Sequence, residues 1–188
     1  MKRSRLALIL LAALPLAACG HHGPVAHSEV FAASLHEPYT LANGDRLRVL
    51  VFGQESLSNS YAVDGSGHIS MPLIGVVRAH GHTTRDLEAA IATRLRNGFL
   101  REPKVSVEIE QHRPFFILGE VTSPGAYAFA PGVTVQNAVA MAGGFTPRAV
   151  RDHVELTRAM ADRIHHGRVP VFASIKPGDT VTVRERWF

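Results

Sequence analysis

Asn43-Gly44-Asp45-Arg46-Leu47-Arg48-Val49-Leu50-Val51-Phe52 is the stretch on which the fold turns. Asn43-Gly44 tolerates positive φ and marks a turn. Leu47, Val49 and Val51 then alternate with Arg46, Arg48 and Leu50, the period of a half-buried strand. Gly178-Asp179-Thr180-Val181-Thr182-Val183 repeats the arrangement late in the chain. A second echo relates Gly75-x-Val77, Gly81 and Thr83 to Gly119-x-Val121, Gly125 and Thr134, each set preceding a helical pattern. Together the echoes predict an α+β chain of two small β-rich units, each with a helix packed on a sheet. The split is expected between Gln111 and Pro114.

Other elements follow from pattern. Tyr61–Val63 and His68–Met71 flank the turn Asp64-Gly65-Ser66-Gly67 and predict a hairpin. Thr83 and Asp86 are spaced as a capping box, and Leu87, Ile91 and Leu95 form one helical stripe that Gly98 can end. Val105, Val107 and Ile109 alternate with Ser106, Glu108 and Glu110 on a strand whose acids face water. Phe115–Leu118 reads as a buried strand. Thr134 opens a short helix stopped by Gly143-Gly144, and strands follow at Val154–Thr157 and Val181–Val183. His165-His166 reads as loop.

The start of the chain is an export signal. Lys2, Arg3 and Arg5 precede an apolar run from Leu6 to Ala18, ending in Leu16-Ala17-Ala18-Cys19-Gly20. The run is about two-thirds of the ~20 residues needed to cross a bilayer core. Its end resembles the lipobox of bacterial lipoproteins, in which cleavage before the cysteine leaves Cys19 acylated. With the signal go three basic residues, so 20 Lys and Arg become 17 against 16 acids. The mature chain is nearly neutral and carries no dense basic cluster, which gives nucleic acid no electrostatic footprint. Cys19 is the only cysteine, so stability rests on apolar burial rather than a disulfide. The expected organisation is a signal at 1–18, a flexible tether at 19–36, and two units at 37–112 and 113–188.

Read in order, the motifs resemble the polysaccharide export proteins of the bacterial outer membrane. The first unit carries Tyr39-x-Leu41-x-x-Gly44-Asp45-x-Leu47-x-Val49-x-Val51-Phe52-Gly53-Gln54, then Tyr61-x-Val63-Asp64-x-x-Gly67-x-Ile69-x-x-Pro72-Leu73-Ile74-Gly75, like that family's export domain. The second carries Leu118-Gly119-Glu120-Val121-x-x-Pro124-Gly125-x-Tyr127 and Ala138-Val139-x-x-Ala142-Gly143-Gly144-Phe145, like the soluble ligand-binding β-grasp domain known as SLBB. The resemblance implies a lipoprotein of the outer membrane, facing the periplasm. It implies a homo-oligomeric ring, often an octamer, that conducts a growing polysaccharide chain. The implied partners are an inner-membrane copolymerase and a separate outer-membrane β-barrel. The barrel is expected because the pattern resembles the family's short members, which lack a C-terminal pore helix. The alternative is a monomeric periplasmic module that binds a glycan or another ligand.

Enzymatic, metal and cofactor chemistry find no pattern. The eleven histidines include His21-His22, His80, His82 and His165-His166, without HExxH spacing or a cysteine partner. Asp64-Gly65-Ser66-Gly67 lacks the further carboxylates of a calcium loop. Ala142-Gly143-Gly144 lacks the Lys-Ser/Thr of a phosphate loop. Gly44, Asp45, Gly178 and Asp179 read as turn-formers. Glu120 is open to two readings, turn chemistry or contact with sugar or a neighbouring subunit. Gly119, Pro124, Gly125, Gly143 and Gly144 complete the set of structural or subunit-contact positions.

Overall fold

The computed structural model describes residues 25–160 and 163–187. The expected signal and the acceptor Cys19, with Leu16, Ala17 and Ala18, lie outside the described residues. Among the described residues three α-helices and ten strands follow one another as α1 (Val25–Ser34), β1 (Arg46–Val51), β2 (Asn59–Ala62), β3 (His68–Met71), β4 (Gly75–Arg78), α2 (Thr84–Arg96), β5 (Val105–Gln111), β6 (Phe115–Gly119), β7 (Gly125–Tyr127), α3 (Val135–Met141), β8 (His153–Met160), β9 (Arg163–Pro170) and β10 (Thr180–Val183). The class is α+β, with a helix packed on a sheet in each half.

In the first half β1 lies between β2 and β5, antiparallel to both. Leu47, Val49 and Val51 point inward with Val107, while Arg46, Arg48 and Leu50 face out. α2 closes this core with Leu87, Ile91 and Leu95, all fully buried. Its start forms as the spacing predicts. Thr83 accepts from the Asp86 amide at 3.2 Å, and Asp86 accepts from the Thr83 amide at 3.0 Å. Glu88 reaches across to accept from the Val107 amide at 2.8 Å, tying α2 to β5.

In the second half five strands run in the order β7-β6-β10-β8-β9, with β6 and β10 parallel and the other pairs antiparallel. Phe115, Ile117, Val154, Leu156, Val181 and Val183 cover one face, against Val135, Ala138 and Val139 of α3. α3 is capped by Thr134 and Asn137, again reciprocally.

Four expectations are corrected. The tether reading through His36 fails from Val25 onward: α1 buries Phe31 in the second core and Ser34 beside it. The predicted hairpin does not pair, because β2 joins β1 while β3 pairs with β4. The turn between them survives, since Asp64 accepts from the Ser66 amide and hydroxyl and from the His68 amide at 2.7–3.0 Å. His165 and His166 lie on β9, where His166 Nδ1 is 2.8 Å from the Thr157 hydroxyl. The strand at Phe115–Leu118 is buried on one face only, with Phe115 and Ile117 inside and Phe116 and Leu118 exposed.

Candidate functional site at the junction of the two units

The two Gly-Asp echoes build the same turn twice. Asp45 Oδ2 accepts from the Ala42 amide at 2.9 Å, and Asp179 Oδ2 accepts from the Lys176 amide at 2.7 Å. Each aspartate amide donates back to the same residue, Asp45 to the Ala42 carbonyl and Asp179 to the Lys176 carbonyl. Gly44 and Gly178 have φ near +90° and +84°, a region in which a Cβ is strained. Both aspartates are buried, and a buried carboxylate demands a partner.

Each finds an arginine. Asp45 accepts from the Arg113 amide at 2.9 Å, with the guanidinium 3.6 Å away. Asp179 takes a two-pronged bond from Arg158, Nε to Oδ1 at 2.8 Å and Nη2 to Oδ2 at 2.6 Å. Arg113 also lies against both turn glycines, its Cβ beside Gly44 and its guanidinium beside Gly178. One side chain therefore spans the two turns, at the position where the chain passes from β5 to β6.

Tyr39 completes the joint. Its hydroxyl donates to Asp45 Oδ2 at 2.7 Å and accepts from Arg113 Nη1 at 2.9 Å. Burial, and next the bond to the Asp45 carboxylate, hold the phenol well above its ordinary pKa. His112 stands edge-on between Tyr39 and Phe129, at ring distances of 4.8 and 5.4 Å. Its Nδ1 is buried without a hydrogen-bond partner, and desolvation lowers its pKa below the usual imidazole value.

That shift has a pH consequence. The unfolded chain binds a proton at His112 more readily than the folded one does. Stability should therefore be full above the unfolded pKa of about 6.5 and fall as the pH drops through it. Urea unfolding of His112→Phe should show a shallower loss between pH 7 and pH 5 than the parent. Equal slopes would exclude His112 as a source of the pH dependence.

Beside the joint is a cavity of about 320 Å3, lined by Glu37, Tyr39, Thr83, Arg113, Arg158 and Lys176 among others. Its cations are already engaged. Lys176 Nζ donates to the Ser34 carbonyl, and Arg158 Nη1 donates to Ser34 Oγ at 2.7 Å and the Phe31 carbonyl at 3.1 Å. Desolvation, then the nearby Arg158, lower the Lys176 pKa. The arrangement is a polar clasp that holds α1, the export-like half and the second sheet together.

The remaining motif positions meet at a second corner. The Thr122 amide donates to the Gly144 carbonyl at 3.0 Å, and the Ser123 amide to the Ala142 carbonyl at 2.9 Å. Thr122 Oγ1 donates to the Gly143 carbonyl at 2.9 Å. Gly119–Gly125 and Gly143-Gly144 are thus one structure, a loop seated on the end of α3. Gly119 has φ +86°, and a Cβ there would run into the Val183 carbonyl oxygen. Glu120 accepts from the Thr146 hydroxyl at 2.5 Å and from the Thr146 amide through its carbonyl at 3.1 Å. Pro124 precedes Gly125, the first residue of β7. Sequence reasoning missed Arg113, Arg158 and Tyr39 as partners of the aspartates; only the acidic residue in each turn hinted at a cation.

No cluster of three or more His, Cys, Asp or Glu side chains able to hold a metal occurs among the described residues. No helix among them is long and apolar enough to cross a membrane.

Comparison with known proteins agrees with this division of labour. Residues 33–110 match the family model described as polysaccharide biosynthesis/export protein, and residues 114–172 match the SLBB domain. The exopolysaccharide production protein ExoF of Rhizobium meliloti is 32% identical over 172 residues, covering 79% of this chain and 41% of ExoF. The polysialic acid transport protein KpsD of Escherichia coli is 25% identical over 66% of this chain and 25% of its own length. The EPS I polysaccharide export outer membrane protein EpsA of Ralstonia solanacearum is 27% identical over 67% of this chain and 36% of EpsA. The matched region thus spans well under half of each of these relatives.

Proposed function

Because the chain belongs to the polysaccharide biosynthesis/export protein family, we propose that it is a structural component of polysaccharide export. In this reading it is acylated at Cys19, held at the periplasmic face of the outer membrane, and assembled into a homo-oligomeric ring through which the polymer passes. An inner-membrane copolymerase would feed the ring, and an outer-membrane β-barrel would complete the path. The observation that carries the reading is the domain order, an export unit followed by an SLBB unit, locked by the Asp45–Arg113–Tyr39 joint.

A conduit asks for such a joint. Polymer must slide, so tight binding is counterproductive, and a wall that bent at its midpoint would not keep a lumen open. Arg113 contributes its amide and guanidinium to Asp45 while its side chain rests on the second Gly-Asp turn. In this reading the two halves of one copy serve as one wall segment.

The alternative, a monomeric glycan- or ligand-binding module, draws on the 320 Å3 cavity beside Arg113 and Lys176. Size separates the two. Extracted in mild detergent, the protein should run as a closed oligomer with a central opening in electron micrographs. A monomer at all concentrations would refute the ring. Cys19→Ser should leave a folded protein in the soluble periplasmic fraction and reduce exported polymer. If the variant stayed with the membrane, another anchor would have to exist.

A further inference from the structure

A ring needs two different, complementary surfaces on each copy, and the export unit carries two unpartnered apolar ones. The first is the tip of the β3–β4 hairpin, Pro72-Leu73-Ile74. Leu73 has φ +67°, and among the described residues it is the only one other than glycine with positive φ. A leucine held there is strained where a glycine would not be. Its side chain is nonetheless 60% exposed, and Val76 on the same hairpin is exposed too. Strain that presents an apolar side chain to water stabilises nothing within one copy.

The second surface is a groove of about 550 Å3 at the end of β1, lined by Leu50, Phe52, Gln54, Glu55, Lys104 and Ser106 among others. Phe52 is 82% exposed, and Lys104 Nζ stands 6.0 Å from its ring centre.

The tip and the groove lie on opposite sides of the unit. Leu47, Val49 and Val51 of β1 share a core with Ile69, Met71 and Val77 of the hairpin. Side chains alternate along a strand, so Leu50 and Val76 face outward on opposite sides. Both surfaces also lie at the end away from the joint. β1 starts beside Asp45 and ends at the groove. The open end of the hairpin is held near Asp45 as well, since the Gly81 amide donates to the Leu41 carbonyl and His80 Nδ1 is 2.9 Å from Asn43 Oδ1. Its tip therefore points the same way as Phe52. A knob on one side and its hole on the other give a head-to-tail contact, which makes a ring when the rotation closes. Copies turned about one axis keep their level, so surfaces at the same end of the unit can meet.

Charge follows the same order. His68–Arg78 holds no acidic residue, and Arg78 faces out two residues past Val76, on the joint side. Glu108 faces out two residues past Ser106 of the groove, again on the joint side. Arg48, across from Glu108, leans instead toward Glu110 at 4.0 Å. Neither Arg78 nor Glu108 has an ion pair among the described residues.

Resting on the ring reading, we propose that the hairpin tip of one copy, Leu73 and Val76, fills the Phe52 groove of the next, with Arg78 paired to Glu108. The occupant is a second copy because one chain carries both halves of the contact, apolar against apolar and base against acid, in matching order.

The full chain carrying Phe52→Cys and Leu73→Cys together is oxidised with copper phenanthroline in its membranes, beside the parent and each single variant. The double variant should give a ladder of cross-linked species, and the single variants no more than the parent. A dimer through either single variant would mean that like surfaces meet, and overturns the proposal. Leu73→Gly removes the knob and its strain together. The dissociated chain should then melt no lower than the parent, while assembly in mild detergent weakens on the order of thirtyfold, as for an interface hot spot. Arg78→Glu and Glu108→Arg should each weaken assembly, and the two together should recover most of it. A parent that is monomeric at every concentration removes the ring reading itself. A parent oligomer that keeps its size in Leu73→Gly, with no cross-link between positions 52 and 73, overturns this contact and leaves the ring standing. Polymer export lost in Phe52→Ala with the oligomer intact would put polymer in the groove, and overturns it too.

Discussion

Asp45→Ala should be among the most destabilising substitutions in the export unit, lowering stability by on the order of 4 kcal/mol. Asp45 is fully buried and accepts from the Tyr39 hydroxyl, the Ala42 amide and the Arg113 amide. Removing one buried acceptor strands its donors at about 1–3 kcal/mol each, although water can reach some of them. The guanidinium of Arg113 is a quarter exposed, so the ionic part is discounted for solvent screening and the hydrogen bonds dominate. A loss of this size removes a large part of the ~5–15 kcal/mol that holds a domain folded. Urea unfolding should show the first unit melting early, and the transition should split if the second unit outlasts it. Asp45→Asn keeps the shape and one acceptor oxygen, and should cost about half as much. A cycle with Tyr39→Phe should be less than additive, because both substitutions remove the same 2.7 Å bond. If Asp45→Ala unfolded within 1 kcal/mol of the parent, about the worth of one ordinary hydrogen bond, the joint would not be a structural keystone.

The turns were legible from sequence, while their partners were not. Gly44-Asp45 and Gly178-Asp179 announce turns entering strands, and both are such turns. What completes them is distant. Arg113 lies 68 residues from Asp45, and Arg158 lies 21 from Asp179. No local pattern marks either arginine among the others. α2 was fully legible because its signals are local, a capping box at Thr83 and Asp86 and an apolar residue every fourth position. β9 was not. Arg163-Ile164-His165-His166-Gly167-Arg168-Val169-Pro170 buries only Val169, and at the sheet edge its polar residues need no alternation. α1 has no helical stripe to read; what holds it is Phe31 in a core and Ser34 on an arginine 124 residues away. The hairpin error has a similar origin. The pattern around Asp64–Gly67 specifies a turn, but β1 offers β2 a longer partner than β3 does. The reading of the whole chain as an export protein came from many weak motifs in order, and the two domain matches support the same order.

Arg158→Met should detach α1 and cost about 3–5 kcal/mol, the usual result of leaving one half of a buried ion pair alone. The side chains of Arg158 and Asp179 are 3% and 1% exposed, so neither can turn to water. The guanidinium makes five bonds: two to Asp179, one each to Ser34 Oγ and the Phe31 carbonyl, and one to the Ser174 carbonyl at 3.3 Å. Two of these, with the bond from Lys176 Nζ to the Ser34 carbonyl, are the polar hold on α1, and a ten-residue helix has little stability of its own. Methionine can fill the space of the arginine stem but offers no donor. Asp179 would keep only the Lys176 amide, an uncompensated charge in a core. Hydrogen exchange should show residues 29–36 losing protection before the β6–β10 ladder does. Adding Asp179→Asn should recover part of the loss, because the stranded charge goes with it. If the single substitution lowered the stability of the sheet while leaving α1 fully protected, Phe31 alone would be the hold.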